Sequence, residues 1–275
     1  MIMRKRFFLM FFPAVAWAIL ATSVAVAADG FAFPHSNVRL FTVDAAAEWN
    51  AGVEIDLADG WKTYWRIPGE SGVPPTFDWS RSTNVKAVTV GWPAPARMID
   101  ETGETIGYVD VVVFPLKVEP TDPSRPATLA LTLTYAACEK ICVPASADLS
   151  ADVVSGAAGA EPDAAKLRDF AARIPVKPAR GAMPAIASLT LETDGGKPAL
   201  KVALNGTLPP AETDIFVEGD PLSYFRKPRP EPGAAASAFR LPVDGVGDKT
   251  ALRGKALTVT LVSGTLRLEQ TLTVE

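Results

Sequence analysis

Leu129-Ala130-Leu131-Thr132-Leu133-Thr134-Tyr135-Ala136-Ala137-Cys138-Glu139-Lys140-Ile141-Cys142-Val143-Pro144 is the stretch on which the fold turns. From Leu129 to Tyr135 every second residue is large and apolar, with Thr or Ala between, which is the two-residue period of a strand with one buried face. The strand is expected to end near Ala137 and the next to begin near Val143. Cys138 and Cys142 then flank a tight turn, Glu139-Lys140-Ile141. Opposed strand residues lie about 4.5–5.5 Å apart, so the geometry allows a disulfide between them.

The same alternation extends both ways. Trp49, Ala51, Val53, Ile55 and Leu57 share one face; Asp59-Gly60 supplies a hairpin-type turn before Trp61-Lys62-Thr63-Tyr64-Trp65; and Val109 to Val118 reads as a strand. Pro68, Pro74, Pro75, Pro93 and Pro95 forbid long helices between these strands. After Val154 the composition shifts. Ser155-Gly156-Ala157-Ala158-Gly159 is linker-like, and Leu167, Phe170, Ala171 and Ile174 fall at helical spacing after Pro162, so one short helix is expected to bridge two halves.

Beyond Pro178 strands return. Leu189 and Leu191 precede the turn Asp194-Gly195-Gly196; Leu200, Val202 and Leu204 precede a turn at Asn205-Gly206; and Leu257, Val259 and Leu261 lead through Ser263-Gly264 to Leu266, Leu268, Leu272 and Val274. Gln270 occupies the apolar register of that hairpin, which predicts a bulge or an open edge. Asn205-Gly206-Thr207 also matches a glycosylation sequon, but the turn is the simpler reading. Many short strands with turns between them predict an all-β chain of two β-sandwich domains, although strand counting alone fits a barrel equally well. The expected divisions are a leader over 1–27, a first sandwich over 28–154, a linker with a short helix over 155–178 and a second sandwich over 179–275.

The leader sets the compartment. Arg4-Lys5-Arg6 is followed by an apolar run from Phe7 to Val24, broken only by Thr22 and Ser23, and then by the small-x-small signal Ala25-Val26-Ala27. Export with cleavage near Ala27 is expected; the alternative is an uncleaved anchor, and both put the remainder outside the cytoplasm. No later segment approaches the roughly 20 apolar residues needed to span a bilayer, so no membrane span is expected after cleavage. Losing the leader removes three bases and no acid, and the formal net charge moves from −4 to −7. Such a surface repels phosphate backbones, and the short Arg226-Lys227-Pro228-Arg229 run reads as a solvated loop, so nucleic acid is not an expected partner.

Only two cysteines are present. On the loop-entropy account a bridge closing about five residues stabilises by only about 2 kcal/mol, against more than about 4 for a long loop. It is therefore a weak staple, and a short strained ring is the kind that is readily reduced. The spacing differs from the thioredoxin-type C-x-x-C, and no βαβ pattern surrounds it. Copper(I) or zinc on the two thiolates is a third reading, short of ligands. The single histidine, His35, reads as a surface or strand-edge residue, and beyond the leader the only methionines are Met98 and Met183. A Ser-His-Asp or Cys-His site would need that one histidine.

Tyr135 to Pro144, together with Asp59-Gly60-Trp61-Lys62-Thr63-Tyr64-Trp65-Arg66-Ile67-Pro68-Gly69 and Gly107-Tyr108, resembles the periplasmic N-terminal domain of DsbD-type protein-disulfide reductases, closer to the ScsB branch linked to suppression of copper sensitivity. The likeness covers about Ala28 to Val153. It implies an immunoglobulin-like sandwich whose cysteine pair shuttles electrons without a cofactor. In that family a membrane thiol-disulfide reductase donates the electrons. The acceptors are periplasmic thioredoxin-like proteins, disulfide isomerases or cytochrome c maturation thiols.

By the same resemblance Cys142 is the cysteine captured in mixed disulfides and Cys138 resolves them. Asp100-Glu101-Thr102-Gly103 matches a cap loop over the pair, and its acids could raise a thiol pKa or relay its proton. An ordinary solvated turn is the alternative for Asp100 and Glu101. Two positions depart from the family. Thr102 stands where an aromatic tips the cap, and of two tyrosines after the Asp-Gly turn only Tyr64 is present, with Lys62 at the other position. Trp61, Trp65 and Trp79 are expected in the core.

The chain ends at Glu275 without a membrane span or thioredoxin module after the leader, so the expectation is a free-standing periplasmic exchange protein reduced by a separate membrane partner. Two rivals remain: a non-catalytic binding module with a permanent disulfide, and a copper(I)-handling protein.

Overall fold

The computed structural model describes residues 30–44, 46–101, 103–154, 161–232, 235–245 and 249–275. The expected leader, Thr102 and Ser155–Gly159 lie outside the described residues. The first half runs β1 (Gly30–Phe33), β2 (Ser36–Thr42), β3 (Ala51–Leu57), β4 (Lys62–Gly69), β5 (Thr76–Asp78), β6 (Val85–Val90), β7 (Ala96–Asp100), β8 (Gly103–Val109), β9 (Val111–Pro120), β10 (Ala127–Cys138) and β11 (Cys142–Val153). After α1 (Glu161–Ala171) come β12 (Ala185–Asp194), β13 (Lys197–Leu208), β14 (Thr213–Glu218), β15 (Ser223–Phe225), β16 (Arg229–Pro230), β17 (Ala236–Gly245), β18 (Ala256–Ser263) and β19 (Leu266–Thr273).

Four antiparallel sheets result. One has the order β1-β2-β3-β9-β6, and the second β11-β10-β4-β8-β7, with β5 pairing on β10. The third has the order β12-β13-β17-β15, with β16 on β17, and the fourth is β14-β18-β19. Each sheet keeps edge strands, so both halves are sandwiches and not closed barrels. Leu129, Leu131, Leu133 and Tyr135 all point inward and are fully buried, packing with Val53, Ile55 and Phe114 of the facing sheet. The second half has its own core around Leu189, Val202, Leu241, Val259 and Leu261. Phe216 of β14 joins the first core, its ring centroid 5.8 Å from that of Trp65.

Several local expectations change in three dimensions. Asp59-Gly60 does turn the chain, with Gly60 at φ 79° and the Trp61 amide donating to Ala58 O, but β3 and β4 belong to different sheets. The turn is a crossover between layers and not a hairpin, because local turn chemistry cannot report where the flanking strands find their partners. The strand read from Val109 to Val118 is divided at Asp110, whose φ of 59° carries the chain from β8 in one layer to β9 in the other. Asn205-Gly206 lies inside β13 as a bulge, where pairing with β17 slips between Ala203 and Leu208. The hairpin β18–β19 keeps unbroken register through Gln270. That side chain instead accepts from the amide of Ile186 and donates to its carbonyl, tying the edge to β12. Helix α1 does form, but Leu167 and Phe170 bury into the first core.

Candidate functional site

The cysteine pair sits at the end of the longest hairpin. Strands β10 and β11 pair without interruption from Ala127–Val153 to Cys138–Cys142, so the two cysteines are direct cross-strand partners with Cα atoms 4.1 Å apart, and they are joined as a disulfide. Glu139-Lys140-Ile141 forms the exposed tip, closed by the Glu139 amide donating to Ile141 O. Each fully buried leucine of β10 stabilises the fold by about 1.5–3 kcal/mol, so a bridge contributing about 2 is no more than one core side chain. The fold does not depend on it.

The two sulfurs have unequal surroundings. Cys138 is 1% exposed, whereas Cys142 is open to solvent beside Ile141, itself 68% exposed. Along the sheet the register runs Cys142, Cys138, Lys62, Val109. Cys138 faces outward with Ala136, away from the interior core, and with Tyr64 forms a small buried cluster of its own.

Tyr64 makes that cluster possible. The Thr63 hydroxyl donates to Ala136 O over 3.0 Å and pins β4 to β10, which brings the Tyr64 hydroxyl 3.4 Å from Cys142 Sγ. A bridged sulfur carries no proton, so the phenol is the donor. Burial, helped by the Asp100 charge, pushes the Tyr64 pKa up and keeps it protonated. Gly72 lies on the other side of the ring. A Cβ there would fall 2.4 Å from Tyr64 Cε1, and its φ of 136° disfavours any other residue, so the chain after β4 can cover the tyrosine only with glycine. Gly107 plays a similar part between strands: a Cβ would sit 2.0 Å from Thr63 O, so β8 approaches β4 only without one.

The acidic hairpin reaches the same place. Strands β7 and β8 pair from Ala96–Gly107 to Asp100–Gly103, and Asp100 Oδ2 accepts from Lys62 Nζ over 2.6 Å. The lysine side chain is 7% exposed, and its ammonium offsets the carboxylate expected to raise a thiol pKa. Thus Cys138, Cys142, Tyr64 and Asp100 are gathered together, Glu101 is exposed at the hairpin tip, and Thr102 lies outside the described residues. Lys62 and Gly72 were not read as site residues. For Lys62 a signal existed: two residues before Tyr64, it shares that face of β4.

The aromatic expectations hold, with Trp61 and Trp65 buried and Trp79 packed against the core. His35 stacks on Trp61, with ring centroids 3.7 Å apart and planes within 5°. Among the described residues no group of three or more His, Cys, Asp or Glu side chains is gathered to hold a metal ion, and no helix is long and apolar enough to cross a membrane.

Residues 32–153 match the family described as thiol:disulfide interchange protein DsbD, N-terminal, in agreement with the resemblance seen in the sequence. Residues 173–275 match a family described only as a domain of unknown function. A crystal structure of the N-terminal periplasmic domain of ScsB from Proteus mirabilis is similar, with a TM-score of 0.67 and 22% identity over 89% of this chain and 96% of that chain; at that identity the likeness is one of fold. No curated protein matches the chain.

Proposed function

We propose that this chain is a periplasmic thiol-disulfide exchange protein whose Cys138–Cys142 bridge takes electrons from a membrane thiol-disulfide reductase and passes them to thioredoxin-like or disulfide-isomerase clients. The observation that carries the reading is the asymmetry of the pair: one sulfur buried, the other open with a phenol donor against it. A dithiol donor attacks the accessible Cys142 sulfur, forming a mixed disulfide and releasing Cys138 as a thiolate, which takes up a proton. The donor's second thiolate then attacks its own mixed-disulfide sulfur and frees Cys142. Two electrons have entered the pair and the donor has become a disulfide.

Delivery runs in reverse. The Cys142 thiolate attacks a client disulfide and releases one client thiolate. Cys138, once deprotonated, attacks Cys142 Sγ, expels the second client thiolate and re-forms the bridge. The Tyr64 hydroxyl donates to the Cys142 sulfur whenever it carries negative charge, and so favours its roles as leaving group and nucleophile.

The test is the equilibrium reduction potential of the pair, by alkylation trapping of the chain without its leader in glutathione and dithiothreitol buffers. A potential between about −270 and −120 mV supports exchange, and one below about −300 mV overturns it in favour of a permanent bridge. The cysteine roles are read separately. Cys138→Ala should accumulate mixed disulfides and Cys142→Ala should not; complexes that persist in the latter overturn the assignment of Cys142.

A further inference from the structure

Every ion pair found between the two halves among the described residues lands on the segments that touch Lys62 or Tyr64 beside Cys138, or on the strand that leads into them. Arg97 of β7 is 3% exposed. It donates to both carboxylate oxygens of Asp214 over 3.0 and 3.1 Å and to Ile215 O over 2.8 Å, lies over the Phe216 ring at 4.9 Å, and pairs with Glu104 of its own hairpin. From the second half, Arg226 is held by Asp244 and bonds Glu70, whose carboxylate also accepts from the amide of Glu104 over 3.1 Å. Glu70 begins the segment that crosses Tyr64 at Gly72. Arg66, at the far end of β4, pairs with Glu218 and Glu269.

We infer that the second sandwich positions the cover of the buried Cys138, with the Arg97–Asp214 and Arg226–Glu70 contacts holding the β7–β8 hairpin on Lys62 and the Glu70–Gly72 segment on Tyr64, the two side chains that flank that cysteine. These four are positioning residues, since they act through the hairpin and the tyrosine. General interface adhesion would scatter its ion pairs over the first half; here they fall on one hairpin, one loop and the end of β4 that leads into that loop, and the hairpin and loop touch Lys62 and Tyr64. Charge pairing suits the task because an ion pair is directional and breaks as a unit, whereas an apolar contact would let the hairpin slide.

The inference deepens the exchange reading and rests on it for its purpose, but it can be tested independently. In a Cys142→Ala background the chain carries one thiol, the buried Cys138, and its rate of alkylation by iodoacetamide reports the cover whether or not the pair exchanges with any partner. Glu70→Gln should raise that rate about two- to fivefold and Asp214→Asn about three- to tenfold, the factors spanned by one exposed ion pair and by one net hydrogen bond. The double variant should exceed either, and Asp214→Glu should restore most of the closed rate. Glu192→Gln, which breaks the pair with Arg240 inside the second half, is the control and should leave the rate unchanged. Rates equal to the parent in both Glu70→Gln and Asp214→Asn, or an equal rise in Glu192→Gln, overturn the inference. A bridge too stable to exchange would overturn the carrier reading alone, since this assay never forms it.

Discussion

The Tyr64 hydroxyl stands 3.4 Å from Cys142 Sγ, a fully enclosed phenol directed at an open sulfur. Removing that hydroxyl alone is the sharpest probe of the site. Tyr64→Phe keeps the ring under Gly72 and deletes the donor, so the Cys142 thiolate loses a hydrogen bond. Its pKa should rise by about one unit, since a net bond of about 1 kcal/mol is most of a pKa unit. The pH dependence of Cys142 alkylation measures it; a shift under about 0.3 would show that the phenol only packs.

Lys62 and Asp100 should act on that thiol in opposite directions. Lys62→Met removes the ammonium beside Cys138 and leaves the Asp100 carboxylate unneutralised, so the Cys142 thiol pKa should rise by about half to one unit, while Asp100→Asn should lower it. The same alkylation profile decides. Movement in the same direction in both variants would mean that the pair acts by shape and not by charge.

Gly72→Ala should be expensive for so small a change. The new methyl would overlap the Tyr64 ring and occupy a backbone region that alanine disfavours, costing about 2 kcal/mol or more. Denaturant unfolding should show the loss, and Cys138 should become more reactive as the tyrosine that buries it is displaced. A variant as stable as the parent would show that the loop reaches its place without the close approach.

Acid should undo the Glu70 contact. Its bonds from Arg226 and from the Glu104 amide hold this carboxyl below the usual carboxylate range. A lowered folded-state pKa stabilises above the ordinary value of about 4.3, and the contribution is lost as pH falls through the lowered one. The partners are one-third exposed, so the pair is worth only about 0.2–1 kcal/mol. The difference in thermal midpoint between the parent chain and Glu70→Gln should be full near neutrality and shrink as pH falls below the usual carboxylate range. Asp214 behaves oppositely, because burial outweighs Arg97 and pushes its pKa up, so its ionisation costs stability as pH rises. A Glu70→Gln difference that persists unchanged into acid would rule out a charged contact at Glu70.

Strand identity was written in the alternation: Leu129 to Tyr135 and Leu257 to Leu261 lie where a period of two puts them, because burying one face of a strand is a local constraint that each second residue must satisfy. The cysteine hairpin was legible for the same reason, since a three-residue tip makes the two flanking strands neighbours. Strand partnership elsewhere was not. Asp59-Gly60 turns the chain into another sheet, and Asp110 divides what reads as one strand, because which backbone groups pair depends on residues far away in sequence. The close spacing of the two cysteines was likewise set in the sequence, and Tyr64 near them followed from the family resemblance. The burial of one sulfur, the neutralisation of Asp100 by Lys62, the glycine contact on the tyrosine ring and the convergence of the second sandwich on the cover were decided only by tertiary structure. Apart from the contact between Gly72 and Tyr64, each joins segments tens to more than a hundred residues apart, and such contacts are selected by the packing of two layers and not by any local pattern.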